Sequence, residues 1–148
     1  MCLGLIATTA LANNAIAPIN NGDIGTALVI PSPLDVLTET SSKDEIKQAI
    51  VYEAKNNSIN PFLMTDLSDC ENDFRNSCIV DTNHKLSCGP FMFQENTFKG
   101  FCPELEWRVK NMIFMNPADN IRCAVKMASK NINLIRQHWV ICSRSLNF

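Results

Sequence analysis

The apolar positions of this chain fall into runs of helical spacing separated by polar breaks. "SKDE" at Ser42 is a capping box, in which the Ser42 side chain receives the Glu45 amide while Glu45 reaches back. Ile46, Ile50 and Ala54, with Ala49 beside them, then form one apolar stripe. "NNSINP" breaks that helix, and Asn60 and Pro61 open a second one as N-cap and first helical residue. The second helix carries Leu63, Leu67 and, four residues later, Glu71. That spacing puts all three on one face, the face expected to pack inward.

From Asn72 to about Leu86 the period is lost and polarity rises, so a loop or small hairpin is expected between Cys78 and Cys88. "SCGPFMFQENTF" supplies a Gly-Pro turn and an apolar-aromatic run. Pro103 is predicted to open a third helix with Leu105, Val109, Met112 and Ile113 inward. "MNPADNIRCAVKMASKNI" repeats the Asn-Pro start and predicts a buried stripe of Ile121, Ala124, Val125 and Ala128. Residues 13–41, with Asn, Gly and Pro and no sustained period, read as linker with one short apolar stretch at Ala27 to Ile30. The expected class is mainly α (α+β), with a small irregular or hairpin lobe and one folded domain over 42–148.

Composition agrees with one globular domain: 148 residues, of which 46% are hydrophobic and 19% charged. A net charge of -2 gives no footing for nucleic acid as a partner. The seven cysteines include no C-x-x-C pair, and the only histidines are His84 and His138, which argues against structural zinc. Disulfides among Cys70, Cys78, Cys88, Cys102, Cys123 and Cys142 in an oxidising compartment fit better than buried free thiols, and the pairing stays open. "LGLIATTALA" ends in a small-x-small pattern, so residues 1–12 read as a signal peptide cut after Ala12. No Lys or Arg precedes the apolar run, which leaves two readings: a truncated start, or a segment that is not a signal. Cys2 would leave with the peptide. The run is too short to span a bilayer, and the mature protein is expected to have no membrane span.

Glu71 is the carboxylate with a reason to be unusual. An inward-facing carboxyl without a partner is costly to ionise, so its pKa rises and it keeps its proton. A protonated acid at neutral pH is the group needed to donate a proton to a glycosidic oxygen. The bland alternative is a helix-end Glu that finds solvent or a cation. His84 in "TNHKLS" reads as an exposed turn, and His138 beside Trp139 as packing. Phe91, Phe93, Phe98 and Phe101 read as core before sugar platforms, as does Tyr52.

The order of these motifs resembles the lysozyme superfamily, and most closely the soluble lytic transglycosylase domain, from about Glu45 to Trp139. The family shows a proline turn, a helix ending in the catalytic Glu, then S-x-G, a Gln and a Thr. "SINPFLMTDLSDCENDF" and "SCGPFMFQENT" match that order at Glu71, Ser87, Gly89, Gln94 and Thr97. The late "NPADNIRCAVKMASKNI" resembles the family's Asn-Ile helix and would bring Asn120 near the cleft. "SCGP" is also similar to a segment of invertebrate-type lysozymes. Two departures stand out: "GPFMFQ" replaces Gly-Leu-Met-Gln, and Glu95 and Asn96 stand where a proline is usual.

The resemblance implies a lysozyme-like fold with a cleft, and cleavage of the β-1,4 bond between N-acetylmuramic acid and N-acetylglucosamine in peptidoglycan. Glu71 would be the catalytic acid and then base. Ser87, Gly89, Gln94, Thr97 and Asn120 would bind substrate, with no metal or organic cofactor. A lytic transglycosylase needs only the Glu; a muramidase that uses water generally needs a second carboxylate, for which Asp81 is the best candidate and Glu95 a weaker one. Asp81 as a solvated loop residue is the alternative. Outside the enzyme class, the chain would be a silent glycan-binding domain or a small disulfide-rich helical protein. A secreted or periplasmic monomer acting on glycan strands is the expectation.

Overall fold

The computed structural model describes residues 30–147. The expected signal peptide, Cys2 and most of the expected linker lie outside the described residues. Six helices and two small antiparallel sheets make up the rest, a mainly α or α+β architecture. Helix α1 (Lys43–Asn56) starts on the expected capping box: Ser42 N–H donates to Glu45 Oε2 at 2.7 Å and Glu45 N–H donates to Ser42 Oγ at 3.3 Å. Helix α2 (Pro61–Asn72) is capped by Asn60, whose Oδ1 accepts from the Phe62 amide at 3.0 Å. Strands β1 (Cys78–Val80), β2 (Leu86–Cys88) and β3 (Phe93–Gln94) form a sheet in the order β1-β2-β3. Helix α3 (Glu95–Phe101) follows, then a short hairpin of β4 (Val109–Lys110) and β5 (Phe114–Met115). Helix α4 (Pro117–Lys130) repeats the Asn-Pro start with Asn116 as its cap, and α5 (Asn133–His138) and α6 (Val140–Ser145) close the chain.

The core sits where α1 packs on α2 and α4, with α6 against α2 and α5 against α4. All four expected stripe residues of α1 are fully buried, and so are Ile121, Ala124 and Val125 of α4, with Ala128 nearly so. The aromatic run after Gly89 also turns inward: Phe91, Phe93 and Phe98 are buried, and Phe93 meets Phe98 and Trp139 edge to face at 5.6 and 5.1 Å. Leu34, in the stretch read as linker, is buried in the same core, and Asp35 pairs with Arg122 at 3.2 Å.

Three disulfides join all six candidate cysteines: Cys70–Cys142, Cys78–Cys88 and Cys102–Cys123. The first ties the end of α2 to α6, the second crosslinks the β1–β2 hairpin, and the third ties the end of α3 to α4. The Cys70–Cys142 bridge spans 72 residues. By the chain-entropy account a loop of that length is worth about 4 kcal/mol, against about 3 kcal/mol or less for the shorter hairpin loop.

Two expectations need correction. No helix starts at Pro103. The helix lies before it, as α3, and Cys102 ends it while bridged to Cys123 of α4. The chain then forms the β4–β5 hairpin, whose connection holds Asn111 and Met112 at φ 53° and 57°, a backbone that no α-helix contains. Met112 and Ile113, expected inward, are 74% and 49% exposed. The buried face of α2 is also rotated from the expected one. Met64, Thr65, Leu67 and Ser68 are buried, while Leu63 and Glu71 lie half-buried at its margin.

The segment from Cys88 to Phe91 is held by side chains from three helical regions. Asn72 Nδ2 donates to Gly89 O at 3.1 Å, Ser68 Oγ to Pro90 O at 3.2 Å, and Trp139 Nε1 to Phe91 O at 2.7 Å. Asn120 Nδ2 donates to Cys88 O at 2.9 Å while its Oδ1 accepts from the Phe91 amide at 2.9 Å. Gly89 is required here twice over. Its φ is +81°, and a Cβ would stand 2.3 Å from Asn120 Nδ2. Gly89→Ala is expected to destabilise the protein by about 3 kcal/mol, combining backbone strain with overpacking. Chemical denaturation with disulfides intact checks this; a loss below about 0.5 kcal/mol, the range of ordinary surface changes, would contradict it.

Candidate active site

The sheet register builds one wall of a cleft. Ile79 pairs with Ser87, and Ser87 pairs with Gln94, so these three share one face of the sheet. Asp81 lies two residues beyond Ile79 and keeps the same side by strand alternation. Cys78, Cys88 and Phe93 form the neighbouring row. Cys88 and Phe93 are buried there, and Phe93 also reaches the cleft lining. Ser87 and Gln94 thus face the cleft while Cys88 and Phe93 lie in the neighbouring row, and the turn from Gly89 to Phe91 between the strands is buried throughout.

Glu71 closes the cleft from the helical side, one residue before the end of α2. The chain turns away at once: Asp73 and Phe74 adopt left-handed backbone at φ 49° and 56°. For a bulky residue such as Phe74 that conformation costs about 1–2 kcal/mol. Asp73, joined to Lys43 and to Arg75, secures the reversal, and the Phe74 ring packs against the core with Lys47 Nζ 5.5 Å from its centroid. This reversal brings the chain from Glu71 to β1 within seven residues. Gln137, His138 and Trp139, at the junction of α5 and α6, also line the cleft, as do Met92 and Thr97. The cleft encloses about 390 Å³.

Two carboxyl groups of the cleft differ in their partners. Among the described residues Glu71 makes no side-chain hydrogen bond and no ion pair. Burial lifts its pKa from 4.5 to about 7, and the nearby charge of Asp81 pushes the same way. The negative end of the α2 dipole acts in the same sense. Asp81 is held instead by donors: the Ser87 hydroxyl donates to its Oδ2, and Gln94 Nε2 donates to the same oxygen at 2.9 Å. Asn83 Nδ2 meets Gln94 Oε1 at 3.5 Å, which extends the network to the hairpin loop. His138, stacked edge to face on Phe101 at 5.0 Å, has its pKa lowered by partial burial and is neutral at pH 7.

The structure thus gathers Glu71, Asp81, Ser87, Gln94 and Thr97 around one cleft. Gly89 and Asn120 are not among its lining residues. Asn120 is fully buried beneath the Gly89 turn and spends its amide on Cys88 and Phe91, so it shapes the cleft from behind. His84 occupies an exposed turn at φ 59°, as expected. Tyr52 is 38% exposed on α1 and takes no part in the cleft. No sequence signal marks Gln137, His138 or Ile79 as cleft residues. For His138, proximity to Trp139 signals packing, and only the packing of α5 on α4, with His138 against Phe101 of α3, brings it to the cleft. Among the described residues no group of three His, Cys, Asp or Glu side chains could hold a metal ion. No family model matches the chain, and no curated protein or solved structure matches it either.

The raised Glu71 pKa has a consequence for stability. The folded chain holds this proton up to about pH 7, whereas the unfolded chain releases it near 4.5. The favourable contribution is complete below pH 4.5 and is lost as pH rises through 7. Glu71→Gln, neutral throughout, is expected to match the parent near pH 4 and to exceed its stability at pH 8 by about 2 kcal/mol, discounted for the solvent that reaches the site. Denaturation at both pH values checks the sign; a variant less stable at pH 8 would refute the unpartnered burial. In the same protein, Asp81→Asn is expected to lower the Glu71 pKa, read by NMR titration of its carboxyl carbon.

Proposed function

We propose that this protein cleaves the β-1,4 bond between N-acetylmuramic acid and N-acetylglucosamine in peptidoglycan, with Glu71 as the general acid. The observation that carries the reading is a carboxyl group without a partner among the described residues, its pKa raised to about 7, set in a cleft whose other wall is a polar sheet face. Such a group keeps its proton in a large fraction of molecules at neutral pH and is close enough in pKa to release it there, which is what protonation of a glycosidic oxygen requires. The lysozyme-like fold expected from the sequence belongs to this proposal, with the three-stranded sheet as its small lobe. The three disulfides fit an oxidising compartment, and no helix among the described residues is long and apolar enough to cross a membrane. A secreted or cell-envelope location is proposed accordingly.

The chemistry runs as a lytic transglycosylase with one carboxyl group. Glu71 gives its proton to the bridging oxygen, the bond from C1 of the muramoyl sugar breaks, and the 6-hydroxyl of that sugar attacks C1. Glu71 takes the hydroxyl proton back, and a 1,6-anhydro end is left with no water consumed. A hydrolytic reading is favoured by one specific observation, the fixing of Asp81 in the same cleft by Ser87 and Gln94. A carboxylate held by two donors, beside an acid that keeps its proton, is the pairing by which glycosidases assign acid and base or nucleophile roles. Water would then supply the hydroxyl at C1.

The test is a digest of purified peptidoglycan with products read by mass spectrometry. Wild type is expected to release muropeptides, and Glu71→Gln to fold normally and lose at least about a hundredfold in rate. Anhydro products, short by one water, with activity retained in Asp81→Asn, identify the lytic reaction. Reducing ends and an inactive Asp81→Asn identify the muramidase. Full activity in Glu71→Gln would end both readings.

A further inference from the structure

The Glu71 cleft does not stop at Gln94. Gln94 also lines a second depression of about 300 Å³, formed by Lys85, Leu86, Glu95, Asn96 and Trp107. Trp107 in turn lines a third and larger one, about 770 Å³, between the β4–β5 hairpin and the segment from Leu37 to Glu39. Two shared residues, Gln94 and Trp107, therefore link the three hollows in series, from the one lined by Glu71 to the one lined by Lys110.

Trp107 is suited to hold a ligand at the middle of that path. Its indole is half-buried, backed by Phe98 at 5.4 Å between ring centroids, and Phe98 is itself fully buried and braced by Phe93. The ring is thus held by the core while part of it borders both outer hollows. Among the described residues its Nε1–H makes no hydrogen bond, whereas the indole of buried Trp139 spends its own on Phe91 O. An aromatic ring with an apolar face and a free donor at its edge matches a sugar, which has an apolar ring face and hydroxyls at its rim. The nearby charges are largely neutralised. Glu95 pairs with Lys99, Arg108 with Glu106, and Lys110 with Glu39, so Lys85 is the lining cation of the middle hollow without an ion pair among the described residues. A mostly neutral groove with an aromatic platform fits a glycan better than it fits a polyanion.

Resting on the reading of Glu71 as a glycan-cleaving acid, we infer that Trp107 is a distal sugar-binding platform, and that the substrate is a glycan strand extending from the bond at Glu71 beyond Gln94. The 390 Å³ cleft holds only the sugars next to the reacting bond; the strand continues over the second hollow. Trp107 touches no reacting atom. It adds binding for long chains and none for short ones, so the enzyme works within strands rather than on small fragments.

The experiment uses the whole protein and uncrosslinked glycan strands of two lengths, two disaccharides and eight. Wild type is expected to have the higher kcat/KM on the long strand. Trp107→Ala is expected to lose about tenfold on the long strand, equivalent to about 1.4 kcal/mol, and to be unchanged on the short one. Trp107→Phe, which keeps packing against Phe98, guards against a folding defect and is expected to retain most of the long-strand rate. Binding to inactive Glu71→Gln supplies a readout apart from turnover: the long strand is expected to change tryptophan fluorescence, and Trp107→Phe in that background to leave only the smaller change contributed by Trp139, which lines the Glu71 cleft. Equal effects of Trp107→Ala on both lengths, or none on either, with wild type active, would overturn the platform and leave the Glu71 reading in place. No cleavage by wild type and no binding by Glu71→Gln would overturn both.

Discussion

The site depends on how the backbone around Gly89 is satisfied. A tight turn buried against helices leaves carbonyl and amide groups away from water, and each unpaired one costs about 1–3 kcal/mol. Here Ser68 and Asn72 of α2, Asn120 of α4 and Trp139 supply the missing partners. These hydrogen bonds lock the sheet to the helical body. They also set the cleft, because Ser68 and Asn72 flank Glu71 on its helix while Ser87 and Gln94 lie on either side of the turn. Any shift of the turn would move the two walls relative to one another.

Glu71 sits at the seam that results. It is close enough to the core to lose much of its hydration, and among the described residues it has no ion pair or side-chain hydrogen bond to regain it. Asp81 has the opposite circumstances, with two donors on one oxygen. The difference between the two carboxyl groups arises from neighbours supplied by a different part of the chain in each case. The Cys70–Cys142 bridge adjoins Glu71 and fixes α6 to α2, so the rim residues His138 and Trp139 keep their distance from the acid.

Much of this is readable along the chain. Local signals determine the starts of α1, α2 and α4, since Ser42, Asn60 and Asn116 act within their own first turn. The stripes of α1 and α4 are equally plain, because a buried helix face repeats with the helix itself. The hairpin between Cys78 and Cys88 follows from lost periodicity between two cysteines. Glu71, Ser87, Gln94 and Thr97 become candidates through the resemblance that their order carries, with Asp81 as the second carboxylate a hydrolase would need, and all five line one cleft.

What escapes the sequence has a tertiary cause in each instance. The segment after Pro103 carries helix-like apolar spacing, yet Cys102 is bound to α4 and Asn111 and Met112 take left-handed backbone. Asn120 reads as a cleft residue, but the turn beneath which it lies consumes its amide. His138 and Trp107 are far from Glu71 in sequence, and no local pattern marks either as bordering the same path. The sequence by itself determined the starts of α1, α2 and α4 and which residues could carry chemistry, because caps and periodicity act over a few neighbouring residues. Only the tertiary structure decided which disulfides form, which polar side chains face the cleft, and that Glu71 keeps its proton, because those depend on groups brought together from distant parts of the chain.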